Sequence, residues 1–182
     1  MLDSRAETKA WTRPIRILLV AIAAIVLVIL GVVVTGSLLP KHHVVSRTAS
    51  YRAAPDRLFF LISGPQGWRP DVLRCEAVPD AGSRELLRET TRDGETITYE
   101  LLDRVYPVSI KRRIATENLP YSGTWTYSLQ PKGDVTIVRI TEDGEVYNPV
   151  FRFMARFGHK RSLDGYLRAL GQATQQEVRI GD

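Results

Sequence analysis

Residues 123–153, GTWTYSLQPKGDVTIVRITEDGEVYNPVFRF, predict two antiparallel strands followed by the start of a helix. Trp125 and Tyr127 alternate with threonines, which is the period-2 pattern of a strand with one buried face. A Lys-Gly-Asp turn then leads into a second strand, residues 135–147. Because glycine is common where a strand bends, we expect a β-bulge at Gly144.

Five further strand-like segments precede this hairpin. Each is a short run between turn residues, and they cover residues 44–52, 72–78, 85–92, 95–103 and 108–116. Pro55 opens a short helix over residues 57–63. The short links predict antiparallel pairing. Since the helices lie at the two ends and do not alternate with the strands, we expect an α+β domain with a seven-stranded antiparallel sheet, and no doubly wound parallel sheet.

The C-terminal region carries two apolar helical faces that are out of phase. Both have i, i+3, i+4, i+7 spacing, and they are formed by Val150, Phe153, Met154 and Phe157, and by Leu163, Tyr166, Leu167 and Leu170. At about 100° per residue, the two faces lie nearly opposite each other on a continuous helix. We therefore expect the helix to break or kink at residues 158–162, so that both faces meet the sheet.

A long apolar stretch lies near the N-terminus. Residues 17–34 contain no polar side chain, and 14 of these 18 residues are Ile, Leu or Val. Extended to residue 39, the segment forms a helix about 35 Å long, against about 30 Å for a bilayer's hydrocarbon core. We interpret residues 17–39 as a transmembrane helix. The alternatives are a signal peptide, with Val34 and Gly36 as the small residues before its cleavage site, and a buried core helix, although the stretch is long for the first and lacks the polar stripe of the second.

Basic residues flank the apolar stretch on both sides. The preceding ones are Arg5, Lys9, Arg13 and Arg16, and those within fifteen residues after it are Lys41, Arg47 and Arg52. A first span with a short basic tail usually keeps that tail in the cytoplasm. We therefore expect residues 40–182 to lie on the extracytoplasmic side of the cell membrane, as part of a single-pass protein.

The composition excludes several classes of protein. A length of 182 residues with 44% apolar and 25% charged residues fits one ordinary domain and not a disordered chain. The net charge of +5 is mild, and the basic run at residues 111–113 alternates between strand faces, so we expect no nucleic-acid partner. One cysteine excludes an internal disulfide, and three histidines offer little for a metal centre. We expect neither a metal nor a cofactor.

Several segments together resemble the SRPBCC superfamily, which includes START-like lipid-transfer domains and polyketide cyclase/dehydrase-like proteins. Residues 39–47 (LPKHHVVSR), the Ala-Pro pair at 54–55 and the Trp-Arg-Pro turn at 68–70 resemble the start of that domain. Residues 123–127 (GTWTY), 140–149 (ITEDGEVYNP) and 151–153 (FRF) resemble the last hairpin of that domain and the start of its C-terminal helix. The likeness covers about residues 40–178, and the apolar span before it resembles the membrane-anchored bacterial members.

The resemblance implies a helix-grip fold, in which a curved antiparallel sheet wraps a C-terminal helix around a cavity for an apolar or amphipathic ligand. The candidate ligand-binding residues are large side chains expected to line that cavity, namely Trp68, Tyr99, Trp125, Tyr127, Tyr147, Phe151, Met154 and Phe157. The alternative is that these side chains fill a solid core, as aromatic stripes usually do.

The other chemistry-bearing residues are more typical of structural roles. The acidic run EDGE at residues 142–145 could supply an acid and a base, but such a run is usually a solvated turn. We expect His159 at the surface or as a helix cap, the His42-His43 pair at the membrane interface, and Cys75 as a small buried residue. Since no nucleophile motif is visible, no catalytic residue is assigned.

We therefore expect four segments: a basic tail (1–16), a transmembrane helix (17–39), an SRPBCC/START-like domain (40–178) and a C-terminal tail (179–182). The predicted function is a membrane-anchored binding module for a hydrophobic or lipid-like ligand, with the lipid bilayer as a partner. A polyketide cyclase/dehydrase-like enzyme stays open, favoured by an inward carboxylate or an inward Arg112 or Arg113. So does a scaffold subunit of a membrane-protein complex, favoured by an apolar patch outside the sheet or along the Gly31 face.

Overall fold

The computed structural model describes residues 4–79 and 82–182. Within these residues the chain forms three α-helices and eight β-strands. In chain order they are α1 (Ser4–Leu38), β1 (His42–Tyr51), α2 (Pro55–Ser63), β2 (Val72–Val78), β3 (Glu85–Thr91), β4 (Thr96–Val105), β5 (Ser109–Ile114), β6 (Tyr121–Lys132), β7 (Val135–Val146), α3 (Pro149–Ala173) and β8 (Ile180–Gly181).

The eight strands form one sheet in which each neighbouring pair runs antiparallel. Their order is β2-β3-β4-β5-β6-β7-β1-β8, so that β1 lies beside β7 at the far end from β2. The seven strands expected from the sequence are present, and the expected α+β class is confirmed. The two-residue strand β8 is additional, and it pairs with Thr48 and Ala49 at the edge of β1.

The hairpin of β6 and β7 is the longest ladder of the sheet, and its register runs without a break along both strands. Gly133 adopts a φ of 61° in the connecting turn, a conformation that favours glycine. The bulge expected at Gly144 was wrong, because the register shifts lie between β2 and β3 and between β4 and β5. Gly144 instead leaves room for the ring of His43 opposite it, whose Cε1 would lie 3.0 Å from an added Cβ.

The core lies between the sheet and the C-terminal half of α3. Leu163, Leu167 and Leu170 are buried against inward side chains of the sheet, such as Ile110 and Ile140. Each buried leucine or isoleucine contributes about 1.5–3 kcal/mol relative to the exposed side chain. These buried leucines hold the C-terminal half of α3 on the sheet.

Helix α3 is continuous from Pro149 to Ala173, so it does not break at residues 158–162. The expectation that both apolar faces meet the sheet was wrong, because Met154 and Phe157 are exposed. The two apolar faces do not need to meet the same surface, because they have different surroundings. The C-terminal face packs on the sheet, whereas the N-terminal half of α3 packs beside α1. There Phe153 is half-buried, and Met154 and Phe157 remain exposed.

Helix α1 is long and apolar enough to cross a membrane over Ile15–Leu38. Its large side chains from residue 17 to residue 30 are exposed, which contradicts the alternative of a buried core helix. The last turns of α1 touch α3. At Gly36 an added Cβ would lie 1.9 Å from the carbonyl oxygen of Pro149, so only glycine permits this approach of α1 to α3.

A buried arginine joins the end of α1 to the rest of the domain. The Arg152 guanidinium on α3 donates to the carbonyl oxygens of Gly36 at 3.0 Å and Leu39 at 3.2 Å. It also donates to those of Val146 and Tyr147, each at 3.0 Å. The carbonyl of Gly36 belongs to the last turn of α1, where the intrahelical partners run out and a cation is favoured.

We expect Arg152→Ala to lower the free energy of unfolding by about 2–4 kcal/mol, because it leaves four carbonyl groups without their charged donor. Denaturant unfolding of the full chain in detergent measures this change. Arg156→Ala, one helical turn further along α3 at an exposed position, is the matched control and should change stability by less than about 0.5 kcal/mol. Equal effects of the two variants would contradict the assigned role of Arg152.

Candidate functional site

A cavity of about 400 Å³ lies between the concave face of the sheet and α3. Strands β3 to β7 form one wall, residues 161–166 of α3 form the other, and residues 69–71 border it. Its lining residues are Arg69, Pro70, Asp71, Glu89, Tyr99, Arg112, Trp125, Tyr127, Ile140, Arg161, Ser162, Leu163, Gly165 and Tyr166. A cavity of this size falls in the range of small-molecule sites.

Aromatic rings in contact with one another form most of the apolar surface. Tyr99 and Trp125 meet edge to face with ring centroids 5.9 Å apart. Tyr127 and Tyr166 are 5.3 Å apart, and Tyr166 also meets Trp68 edge to face at 5.4 Å. Such contacts hold the rings in place, so this wall is largely preformed.

A cluster of charged side chains lies inside the same cavity. Glu89 on β3 and Arg112 on β5 are each only 3% exposed. Arg69 donates to Glu89 at 3.0 Å and also pairs with Asp71. The nearest nitrogen of Arg112 is 3.9 Å from Glu89. Buried charges of this kind are stable only when they are paired and hydrogen-bonded.

The pairing of Arg112 is incomplete. One terminal nitrogen donates to the carbonyl oxygen of Ile62 at the end of α2. Its Nε is buried and has no hydrogen-bond partner among the described residues. A buried donor without a partner lowers the stability of the fold. The lining contains three arginines and two carboxylates, so its formal charge of +1 favours an acceptor or an anion.

Burial shifts the pKa values of the groups that line the cavity. It raises the pKa of Glu89 above its ordinary value, and attraction to Arg69 and Arg112 only partly opposes the rise. Burial also raises the pKa of Tyr99, Tyr127 and Tyr166. The three phenols therefore stay protonated at neutral pH and can donate hydrogen bonds.

The candidate residues from the sequence separate into two groups. Tyr99, Trp125 and Tyr127 line the cavity. Trp68 is not among the lining residues; it packs against Tyr166 and donates its Nε1–H to the carbonyl of Leu61 at 2.8 Å. The structure places the others outside the cavity. Tyr147, Phe151, Met154 and Phe157 are exposed, with Phe157 70% exposed, and the part of α3 that carries the last three lies beside α1.

An inward Arg112 or Arg113 was the feature expected to favour an enzyme, and Arg112 is the one that lines the cavity. Arg113 lies on the other face and pairs with Glu100 at 2.7 Å. Sequence reasoning missed Arg69, Glu89 and Tyr166. The sequence of β3 does not indicate that Glu89 faces inward, because two adjacent leucines interrupt the alternation of apolar and polar residues along this strand. Arg69 lies in the quoted Trp-Arg-Pro turn, which is the signal that could have identified it.

The remaining candidates have other surroundings. Glu142 and Asp143 point to opposite faces of β7, where they contact His43 and His42, respectively. His159 on α3 reaches Glu142 at 3.3 Å. Cys75 is a half-buried free thiol, and burial raises its pKa. None of these side chains lines the cavity described above.

Residues 42–176 match the family described as Polyketide cyclase / dehydrase and lipid transport. The chain belongs to this family. The match covers the domain from β1 to the end of α3, so the resemblance to START-like, SRPBCC helix-grip proteins is confirmed. Proteins with the START/polyketide cyclase-like fold generally bind ligands, and the cavity described above agrees with such a role. No curated protein matches the chain.

Solved structures have the same fold. A START superfamily protein from Mycobacterium smegmatis is 19% identical with a TM-score of 0.63, covering 73% of this chain and 97% of its own. A Rhizobium loti protein is 23% identical with a TM-score of 0.54, and the match covers 72% of this chain and 96% of the Rhizobium loti chain. Truncated norcoclaurine synthase from Thalictrum flavum is 14% identical with a TM-score of 0.59, covering 75% and 95%. These likenesses concern the fold.

The raised pKa of Glu89 predicts a pH-dependent stability. The folded protein binds the Glu89 proton more tightly than the unfolded chain does, so this stabilisation is complete below about pH 4.5 and is lost as the pH rises through the folded-state pKa. Glu89→Gln is neutral at every pH. We therefore expect its stability relative to the unmodified chain to increase from about pH 4.5 to about pH 7. Tryptophan-detected denaturant unfolding in detergent measures the difference, and an opposite trend would contradict this interpretation.

Proposed function

We propose that this member of the polyketide cyclase/dehydrase and lipid transport family is a membrane-anchored binding module for a hydrophobic or lipid-like ligand. The observation that carries the proposal is the preformed aromatic cavity, which the buried Arg112 also lines. An apolar ligand body would contact Tyr99 and Trp125. An oxygen-bearing head group would accept from Arg112 and from the cavity tyrosines.

Two surfaces support the membrane anchor. The apolar side chains of α1 are exposed from residue 17 to residue 30, and such a surface is stable in a bilayer. Next to its end, α3 exposes Phe151, Met154 and Phe157. In this proposal these side chains reach the apolar edge of the membrane interface. A basic N-terminal tail would keep the domain, residues 40–178, on the extracytoplasmic side.

The anchor also explains why a cavity for a poorly soluble ligand would be useful here. A domain held at the bilayer meets lipid-like molecules at a high local concentration, so modest affinity is sufficient for loading. The lipid bilayer and one hydrophobic small molecule or lipid are thus the proposed partners.

We expect Gly165→Leu to lower ligand affinity about tenfold or more. Gly165 lines the cavity, and its added Cβ meets no atom within 4 Å, so a leucine can enter the cavity without a backbone clash. Displacing two ligand methylenes at about 0.8 kcal/mol each corresponds to just over tenfold in affinity. Gly158→Leu, two turns earlier on α3, also has open space but does not line the cavity. It is the matched control and should bind as the unmodified chain does.

The measurement is mass spectrometry of the full chain extracted from membranes in detergent. Recovery of an apolar or amphipathic molecule with the unmodified chain and Gly158→Leu, and its loss with Gly165→Leu, would support the binding module. Absence of a bound molecule from every sample would refute it. The intact mass tests the anchor separately, because a cleaved signal peptide would remove the residues up to about 36–39.

A second candidate function is proton-transfer catalysis on the bound molecule. The observation that favours it is the buried carboxyl of Glu89, with its raised pKa, between two arginines inside the cavity. A group tuned in this way is typical of a general acid or base. One of the structures with this fold is a synthase by name, norcoclaurine synthase.

Incubation of the purified chain with a lipid extract separates catalysis from simple binding. For catalysis we expect product formation that falls about 100-fold or more in Glu89→Gln, while Glu89→Gln still binds the substrate. Liquid chromatography with mass spectrometry detects both species. A ligand recovered unchanged from the unmodified chain would contradict catalysis and leave the binding function intact.

A further inference from the structure

Three side chains from distant parts of the sequence meet at the junction of β1, β7 and α3. His43 Nε2 lies 3.0 Å from Glu142 Oε1, and His159 Nδ1 lies 3.3 Å from the same oxygen. The imidazole rings of the two histidines have centroids 3.7 Å apart. One atom from each residue lies within 4.8 Å of the others.

The sheet register explains how this junction is built. His43 is directly opposite Gly144, and Glu142 is two residues before Gly144 on the same face of β7. The absence of a side chain at Gly144 leaves space for the His43 ring. Helix α3 then brings His159 over the same face, so that each ligand comes from a different element.

We propose that His43, Glu142 and His159 form a binding site for Zn²⁺ or a similar borderline divalent cation. Imidazole nitrogen and carboxylate oxygen are ligands that Zn²⁺ takes at about 2.0–2.2 Å. Two such ligands in tetrahedral geometry are about 3.3–3.5 Å apart. The two separations from Glu142 Oε1, 3.0 and 3.3 Å, are close to this spacing. Small side-chain movements would therefore suffice to accommodate the ion.

The surroundings of the three ligands also suit a cation. Their side chains are only 18%, 11% and 19% exposed for His43, Glu142 and His159, so each donor atom is partly removed from competing water. With neutral histidines the ligand set carries one negative charge. Lys41, Arg152 and Arg156 line the small pocket on this side. Lys41 and Arg156 are exposed, so solvent and salt screen their repulsion, and the buried Arg152 guanidinium is held by four backbone carbonyl oxygens.

The geometry leaves one coordination position for water. Three protein ligands and an open position are the usual arrangement of a non-structural zinc site. The open side faces a pocket of about 150 Å³ that both histidines line. This pocket is distinct from the aromatic cavity, so the metal proposal does not depend on the proposed ligand-binding function.

A second histidine–carboxylate pair provides a matched control in the same strands. His42 Nε2 lies 2.7 Å from Asp143 Oδ1, and the pair has the same diagonal register between β1 and β7. This pair is on the opposite face of the strands, where both side chains are exposed. His42 also borders the small pocket, but the described residues place no third ligand with the pair. His42→Ala therefore removes one histidine from the neighbouring position without removing a proposed ligand.

The test uses the full-length chain in detergent, without a histidine tag and stripped of metal with EDTA. Titration with Zn²⁺ against a chromophoric chelator should show one equivalent bound by the unmodified chain and by His42→Ala. Removing a direct ligand should weaken binding by more than about tenfold, the lower bound seen even for outer-shell changes, in His43→Ala, His159→Ala and Glu142→Gln. Co²⁺ should give tetrahedral ligand-field bands with the unmodified chain.

Thermal unfolding with and without Zn²⁺ distinguishes the loss of a metal ligand from poor folding of a variant. An ion that binds only the folded state raises the melting temperature, so we expect a rise for the unmodified chain and His42→Ala and a much smaller one for Glu142→Gln. The proposal would be overturned if the unmodified chain bound no stoichiometric Zn²⁺. Equal losses in His42→Ala and His43→Ala, or unchanged affinity in Glu142→Gln, would also overturn it.

Discussion

The contact between one half of helix α3 and the concave face of the sheet determines how the rest of the domain is arranged. Leu163, Leu167 and Leu170 anchor the C-terminal half on the sheet. A curved sheet cannot bring all its inner side chains onto a single straight helix, so a cavity remains beside residues 161–166. The N-terminal half packs beside α1 and reaches β7 through His159, and its apolar side chains Met154 and Phe157 remain exposed.

Inside the cavity the energetic balance differs from that of an ordinary apolar core. Glu89 and the two arginines cost desolvation, and their mutual attraction offsets this cost only in part, since Arg112 keeps one donor without a partner. A purely structural core would be as stable with apolar side chains at these positions. The proposed ligand binding would account for charged side chains next to preformed aromatic walls.

Local patterns predicted much of this architecture, and long-range register explains what they missed. Alternation and turn residues were sufficient for the seven strands, and alternation placed Trp125 and Tyr127 on one strand face, which lines the cavity. The out-of-phase faces of α3 were visible, but a sequence does not say that each face has a different neighbour. Likewise the junction of His43 and Glu142 depends on the pairing of β1 with β7, which joins residues about a hundred positions apart.

The close approach of Gly36 to Pro149, with Arg152 gripping the neighbouring carbonyls, has a mechanical consequence. A membrane-anchored domain is often joined to its anchor by a flexible linker and samples many orientations. Here the proposed anchor joins the domain rigidly, so tilting one would tilt the other. The opening of the aromatic cavity would thus keep a constant distance from the bilayer and a constant orientation to it. A ligand could then enter the cavity from one position only.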